Sequence, residues 1–338
     1  MVKKRAFGIW CFVISYLLIS SFSSAQKPRL LSVQKIWDKG NHNAFTDLAR
    51  FKGKFFCTFR EAKAHVGGDG ELRVLVSKDG KNWKSAALLR EQGVDLRDPK
   101  LCVTPDDRLM IVAGGSVYNG TRKLKSRQPR VAFSKDGSTW TQTKRVLSEG
   151  DWLWRVTWHK GIAYGTSYRT KPRKLAEKNH NWSLSLYQSK DGEHYRRIAD
   201  LEVSGRPNET TLRFLPEGTM VALTRREGGN KVGWIGQSKP PYQKWSWHQT
   251  KHRLGGPNFI RLPNGQLWAA SRAHPGGSKT VLAKMTPTSF EPVFTLPSGG
   301  DTSYPGLVWH DETLWMSYYS SHEGKTSIYI AKFQFDTK

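Results

Sequence analysis

The chain has 338 residues, with 54 Lys+Arg against 28 Asp+Glu, a formal charge of +26, 37% hydrophobic residues, 31 Gly, 16 Pro and 14 Trp. This much apolar and aromatic material fills a sizeable core and excludes a disordered or collagen-like chain, while the length admits two ordinary domains or one large all-β or α/β unit. The positive excess runs along the whole chain and sets the sign of the partner: nucleic acid, an acidic membrane, or a sulfated or carboxylated glycan.

At the N-terminus, Lys3, Lys4 and Arg5 precede the apolar run Ala6 to Ile19, and Ser23-Ser24-Ala25 supplies small residues where a signal peptidase cuts. Residues 1–25 are therefore expected to be a signal peptide, placing the mature chain in a secreted or periplasmic setting without stable membrane insertion. An uncleaved anchor is the alternative, although the apolar stretch is short for a span. Losing three basic residues leaves +23, so the leader does not explain the basicity. Export, together with the lack of a nucleic-acid motif, turns the expected partner into an anionic glycan rather than nucleic acid. Cys11 leaves with the leader; Cys57 and Cys102 sit in apolar strand-like runs and read as buried thiols, a disulfide being the alternative. No Cys/His spacing resembles a zinc site, and neither a metal nor another cofactor is expected.

Two repeats organise the rest. Ser77-Lys-Asp79-Gly80-Lys-Asn-Trp83 recurs as Ser134-Lys-Asp136-Gly137-Ser-Thr-Trp140 and Ser189-Lys-Asp191-Gly192-Glu-His-Tyr195, with a worn copy at Ser238-Lys-Pro-Pro-Tyr242. The starts lie 57, 55 and 49 residues apart, a spacing that fits a four-stranded propeller blade. The chemistry is that of a turn: Asp accepts backbone N–H bonds, Gly supplies positive φ, and the ring packs on its blade, so these aspartates are structural. The second repeat is a strand, a polar turn and a strand. Its six copies begin near Leu48, Leu101, Val156, Leu212, Ile260 and Leu307. Six copies with no helical periodicity and no linker predict an all-β fold, one six-bladed β-propeller of four-stranded antiparallel blades over residues 26–338.

In a propeller the innermost strands surround the axis, so corresponding positions in different blades converge. Asp98, Glu209 and Tyr304 each stand three residues before the first aliphatic anchor of an inner strand, and Arg60, Arg225 and Arg272 end the strand after the turn. Arg225 and Arg226 alternate, so one faces the pocket and the other does not. Arg155 in Trp152-Leu-Trp154-Arg155 is a further pocket candidate, the tryptophans either stacking on sugar or filling the core. Asp69 lies in the Gly-flanked loop His65-Val-Gly-Gly-Asp69-Gly-Glu71, with His65 four residues away.

These segments resemble the sialidase (neuraminidase) superfamily. The Asp-box turns carry the fold resemblance. Pro207-Asn-Glu209-Thr-Thr-Leu212 with Leu223-Thr-Arg225 is similar to the family's glutamate and sugar-binding arginine, Arg272 to its next arginine, and Asp301-Thr-Ser-Tyr304-Pro-Gly-Leu307 to the segment bearing its tyrosine nucleophile. Phe59-Arg60-Glu61 and the Asp69 loop resemble the stretch holding an arginine and the acid/base aspartate, and Arg97-Asp98-Pro99 resembles a pocket aspartate. One departure stands out: Asn41-His42-Asn43-Ala44-Phe45-Thr46-Asp47-Leu48 has no arginine where the family opens its first inner strand with one. Either His42, Asn43 or Arg60 takes over part of the carboxylate clamp, or the ligand's acid group differs from that of sialic acid.

A phenol of pKa about 10 needs an adjacent base to act as a nucleophile, and Tyr304 with Glu209 meets that need. A neutral tyrosine also avoids repelling an anionic sugar. Asp69 or His65 would protonate the leaving group, and Arg60, Arg225, Arg272, Asp98 and Arg155 would hold the substrate. The resemblance thus implies a secreted sialidase-like glycoside hydrolase acting on an acidic sugar. Two alternatives stay open: a polysaccharide lyase on uronate-containing chains, and a non-catalytic glycan-binding propeller.

Overall fold

The computed structural model describes residues 28–120, 123–170, 182–274 and 276–335. The expected signal peptide and Cys11 lie outside the described residues. Within them, 24 strands, numbered β1–β24 in chain order, form six separate four-stranded antiparallel sheets. Five are simple meanders, and their innermost strands are β2 (His42–Phe51), β6 (Asp95–Val103), β10 (Trp152–His159), β14 (Pro207–Phe214) and β18 (Asn258–Arg261). The sixth begins at β22 (Thr302–His310) and is completed by β1 (Pro28–Trp37), which pairs antiparallel with β24 (Ser327–Phe335). The start of the described chain thereby completes the last blade and closes the ring. The fold is a six-bladed propeller; blades are numbered 1–6 from β2 onward.

The Asp-box turns bond as their sequence predicts. Asp79 Oδ1 accepts the backbone N–H groups of Lys81 and Asn82, Ser77 Oγ accepts that of Gly80, and the Trp83 indole donates to the Gly80 carbonyl. These bonds hold the Asp79 carboxyl below the usual carboxylate range. Asp136 and Asp191 repeat the arrangement. In the worn copy the indole bond survives through Trp245, which donates to the Tyr242 carbonyl. The box glycines also lock adjacent blades. A Cβ on Gly80 would lie 2.2 Å from Trp315 of blade 6, and one on Gly137 2.1 Å from Phe56 of blade 1, each at positive φ.

A second regularity sits at the axis. Five of the six innermost strands carry a β-bulge, at residues 44–47, 97–100, 153–156, 207–210 and 303–306. A bulge re-aims side chains that a regular strand would point elsewhere. Phe45, Asp98 and Tyr304 occupy their bulges with φ of 65°, 50° and 53°, a left-handed conformation costing about 1–3 kcal/mol for such residues. In blades 1, 2, 4 and 6 the position three residues before the anchor lies within this bulge. Below it the axis is charged: Asp47 accepts Arg155 Nη1 and the Leu101 N–H at 2.7 Å each, with buried Lys100 nearby.

Cys57 and Cys102 are free thiols. No helix among the described residues is long and apolar enough to cross a membrane.

Candidate functional site

An open cavity of about 640 Å³ lies over the bulges, lined by Tyr304 and Glu209 together with Phe45, His65, Asp98, Arg225 and residues of blades 2 to 4. Tyr304, from blade 6, and Glu209, from blade 4, are 95 residues apart in the chain, yet the Tyr304 hydroxyl donates to Glu209 Oε1 at 2.6 Å. Arg225 Nη1 donates to both Glu209 oxygens at 2.8 Å and approaches the Tyr304 hydroxyl at 3.3 Å. The Gly256 N–H donates to Glu209 Oε2 at 2.8 Å.

Burial works to raise the Glu209 pKa, but Arg225, Tyr304 and the Gly256 N–H together bring it below its ordinary value. Burial, then the Glu209 charge, pushes the Tyr304 phenol well above its ordinary value. The resting proton therefore sits on the phenol, hydrogen-bonded to an ionised carboxylate that can receive it. Arg225 is also salt-bridged to Glu227, while Arg226 turns away to the Ser204 and Val232 carbonyls. The alternation of the two arginines falls as expected.

Asp98 lines the cavity at 9% exposure. Burial raises its pKa against the pull of Arg97 and Lys100, and its Oδ1 has no partner.

His65 stands at the rim with its side chain 51% exposed, and its Nδ1 lies 2.7 Å from Asp301 Oδ2. The same oxygen is 3.0 Å from His42 Nε2, and the Tyr319 hydroxyl donates to Asp301 Oδ1 at 2.7 Å. Burial opposes ionisation of Asp301, but these three partners hold its carboxyl well below the usual range. With Nδ1 bound to Asp301, the Nε2 of His65 is left for a ligand. The His65 ring also packs edge-on against Phe45, which in turn packs on Tyr304 at 4.9 Å between ring centroids.

Four expected site residues lie elsewhere. Asp69 does not line the cavity: its Oδ2 accepts the Lys63 N–H at 3.2 Å, folding the carboxylate back into its own loop. Arg60 is fully buried, donating from Nε and Nη2 to Asp95 at 2.7 and 3.1 Å and from Nη1 to the Ala64 carbonyl. Arg155 is held by Asp47 beneath the bulges. Arg272 donates to the Thr302 carbonyl at 3.2 Å and packs against Gly255; it is partly exposed and does not line the cavity. The expected clamp of Arg60, Arg225 and Arg272 is therefore not assembled, since two of them brace main chain or a buried carboxylate and the third is held between Glu209 and Glu227.

Several residues of the site escaped sequence reasoning. Asp301 does not line the cavity but holds His65 at its rim, and an acid three residues before a candidate nucleophile is the sequence signal for it. Phe45 holds the bulge position of blade 1. Arg97, Tyr118, Arg127 and Tyr168 complete the wall with Trp152, whereas Trp154 is core.

No family model and no curated protein matches the sequence. Solved structures do share its shape. A Dyadobacter fermentans protein of unknown function superposes with a TM-score of 0.80 at 18% identity, covering 92% of this chain and 100% of that one. The GH93 α-L-arabinofuranosidase of Fusarium graminearum, solved with arabinobiose, gives 0.70 at 14% identity over 90% and 97% of the two chains. The Trypanosoma rangeli sialidase, solved with sialic acid, gives 0.68 at 10% identity over 91% and 59%. The chain is thus a six-bladed propeller structurally similar to sialidases and GH93 arabinanases at low sequence identity, and at such identities the likeness extends to the fold.

Proposed function

We propose that this protein is a glycoside hydrolase that works outside the cytoplasm on an acidic sugar of an anionic glycan, with Tyr304 as nucleophile. The observation that carries the reading is the 2.6 Å bond from the Tyr304 hydroxyl to Glu209 on the floor of an open cavity. The sugar lies against the aromatic wall of Tyr118, Trp152 and Tyr168, and Asp98 hydrogen-bonds with one of its hydroxyls. Tyr304 Oη attacks the anomeric carbon while Glu209 takes the phenol proton, and His65, held by Asp301, gives a proton to the departing glycosidic oxygen. The glycosyl–tyrosine bond is then broken by water that His65 deprotonates, and Glu209 returns the proton to the phenolate. The net reaction is hydrolysis with retention. Glycosidases with a tyrosine nucleophile are a recognised exception to the two-carboxylate pattern. His65 takes the acid role because it faces the cavity and Asp69 does not.

The test is a screen of sialylated, uronate-bearing and sulfated glycans with products read by mass. Tyr304→Phe should lower kcat by on the order of 10³-fold or more, and Glu209→Gln by about 10²–10⁴-fold. Unsaturated products would assign a lyase instead, and glycan binding without turnover in the wild type would assign a non-catalytic propeller.

A further inference from the structure

A sugar that carries its carboxylate on the anomeric carbon brings that charge next to the nucleophile, so the cation that reads it must stand beside Tyr304. The cations around Tyr304 are already engaged: Arg272, close enough to act on the Tyr304 charge, donates to the Thr302 carbonyl, and Arg97, 5.2 Å from the Phe45 ring centroid, bonds Tyr118 and pairs with Asp95. Phe45, Trp154 and Tyr319 pack around its ring at centroid distances of 4.9, 5.6 and 5.9 Å. Arg225, the guanidinium nearest its hydroxyl, is held by Glu209 and Glu227. Lys100 lies 5.4 Å from the ring centroid but is 2% exposed and donates to the Pro99 carbonyl.

A different guanidinium faces the cavity. Arg127 belongs to β8 (Lys123–Ser134) of blade 2 and reaches the boundary with blade 3, far around the ring from blade 6. Its guanidinium carbon is 5.5 Å from the Trp152 ring centroid and 5.1 Å from that of Tyr168, and its Nε donates to the Gly150 carbonyl at 3.2 Å. Trp152 is itself fixed, since a Cβ on Gly114 would lie 2.1 Å from its ring. Arg127 Nη2 has no hydrogen-bond partner and is shielded from solvent. An oriented guanidinium in the cavity wall with one unpartnered N–H group suits a carboxylate or sulfate.

Resting on the glycan-site reading above, we infer that Arg127 binds the substrate's anionic group, and that this group is borne by a ring position away from the anomeric carbon. The substrate is then a uronic acid or a sulfated aldose rather than a sugar with an anomeric carboxylate.

The test measures binding rather than turnover, in the inert Tyr304→Phe background. NMR titration with methyl glucuronide, glucose 6-sulfate, methyl glucoside and N-acetylneuraminic acid compares that protein with its Arg127→Met and Arg127→Lys derivatives. At least one acidic aldose should bind about tenfold or more tighter than the neutral glucoside, and N-acetylneuraminic acid no tighter than the glucoside. Arg127→Met should abolish the preference, weakening the preferred acidic aldose about tenfold more than the glucoside, and Arg127→Lys should restore part of it. The uronate and sulfate arms identify the anion. An unchanged preference in Arg127→Met, no preference for either acidic aldose, or tightest binding of N-acetylneuraminic acid overturns the inference. Failure of the hydrolase reading appears separately, as a wild type that turns over no glycan while these binding differences persist.

Discussion

Replacing Asp95 with Asn probes whether Arg60 serves the fold or the ligand. Both side chains are fully excluded from solvent, and the carboxylate receives Arg60 Nε at 2.7 Å and Nη2 at 3.1 Å. Gly70 closes over the pair: a Cβ there would lie 2.0 Å from Asp95 Oδ1 and 2.4 Å from Arg60 Nε. The Asn variant keeps the shape but leaves a buried guanidinium without its counter-charge, which costs about 3–5 kcal/mol of folding stability. Replacing both residues with Leu removes the orphaned charge and should cost less than either single change. An exposed pair supplies the contrast, because Arg197 and Asp200, with side chains 48% and 64% exposed, should contribute only about 0–1 kcal/mol. Urea unfolding measures all of these. Activity should fall as well, because Arg60 Nη1 holds the Ala64 carbonyl, one residue before His65. The reasoning is refuted if Asp95→Asn costs under about 1 kcal/mol and Arg60→Ala instead raises KM for an acidic glycan at unchanged stability.

Two further outcomes follow from buried charges. Asp301 is held below its ordinary pKa, so it contributes stability that is fully present above the unfolded value near 4 and fades as pH falls below that value. Asp301→Asn should flatten this acid dependence in pH-scanned unfolding and, by freeing His65, lower kcat by about 10²-fold or more with little change in KM. Lys100 is lowered to about 8, chiefly by burial and then by Arg155. Below that pH the lysine is charged in both states and the fold bears the full penalty, and stability rises from pH 8 toward the unfolded value near 10.5 as the folded state gives up its proton first. Lys100→Met should therefore raise stability at pH 7 by about 1–3 kcal/mol and abolish that alkaline rise, measured by urea unfolding at pH 7 and 10.

The blades were legible because their turns are local chemistry: the Asp79, Asp136 and Asp191 boxes need only a few consecutive residues to satisfy their own backbone. The positions of Asp98, Glu209 and Tyr304 were legible for a related reason, since in their three blades a bulge falls at the same distance before the anchor. The fate of individual charges was not. Arg60 and Arg155 have the composition of ligand-binding residues, but their partners Asp95 and Asp47 lie 35 and 108 residues away, and only the closed ring brings them together. Asp69 was misplaced because a loop carboxylate can bond its own backbone as readily as it faces a cavity. Arg127 comes from the third strand of its blade, outside the register that the inner strands share.

The most direct measurement is peptide mapping by mass spectrometry after reaction with an activated fluorosugar of whichever glycan class proves to be the substrate. A glycosyl group attached through the side-chain oxygen of Tyr304, and lost in Tyr304→Phe, is the predicted result. Steady turnover accompanied by an adduct on another residue, or by inversion at the anomeric carbon, would contradict it.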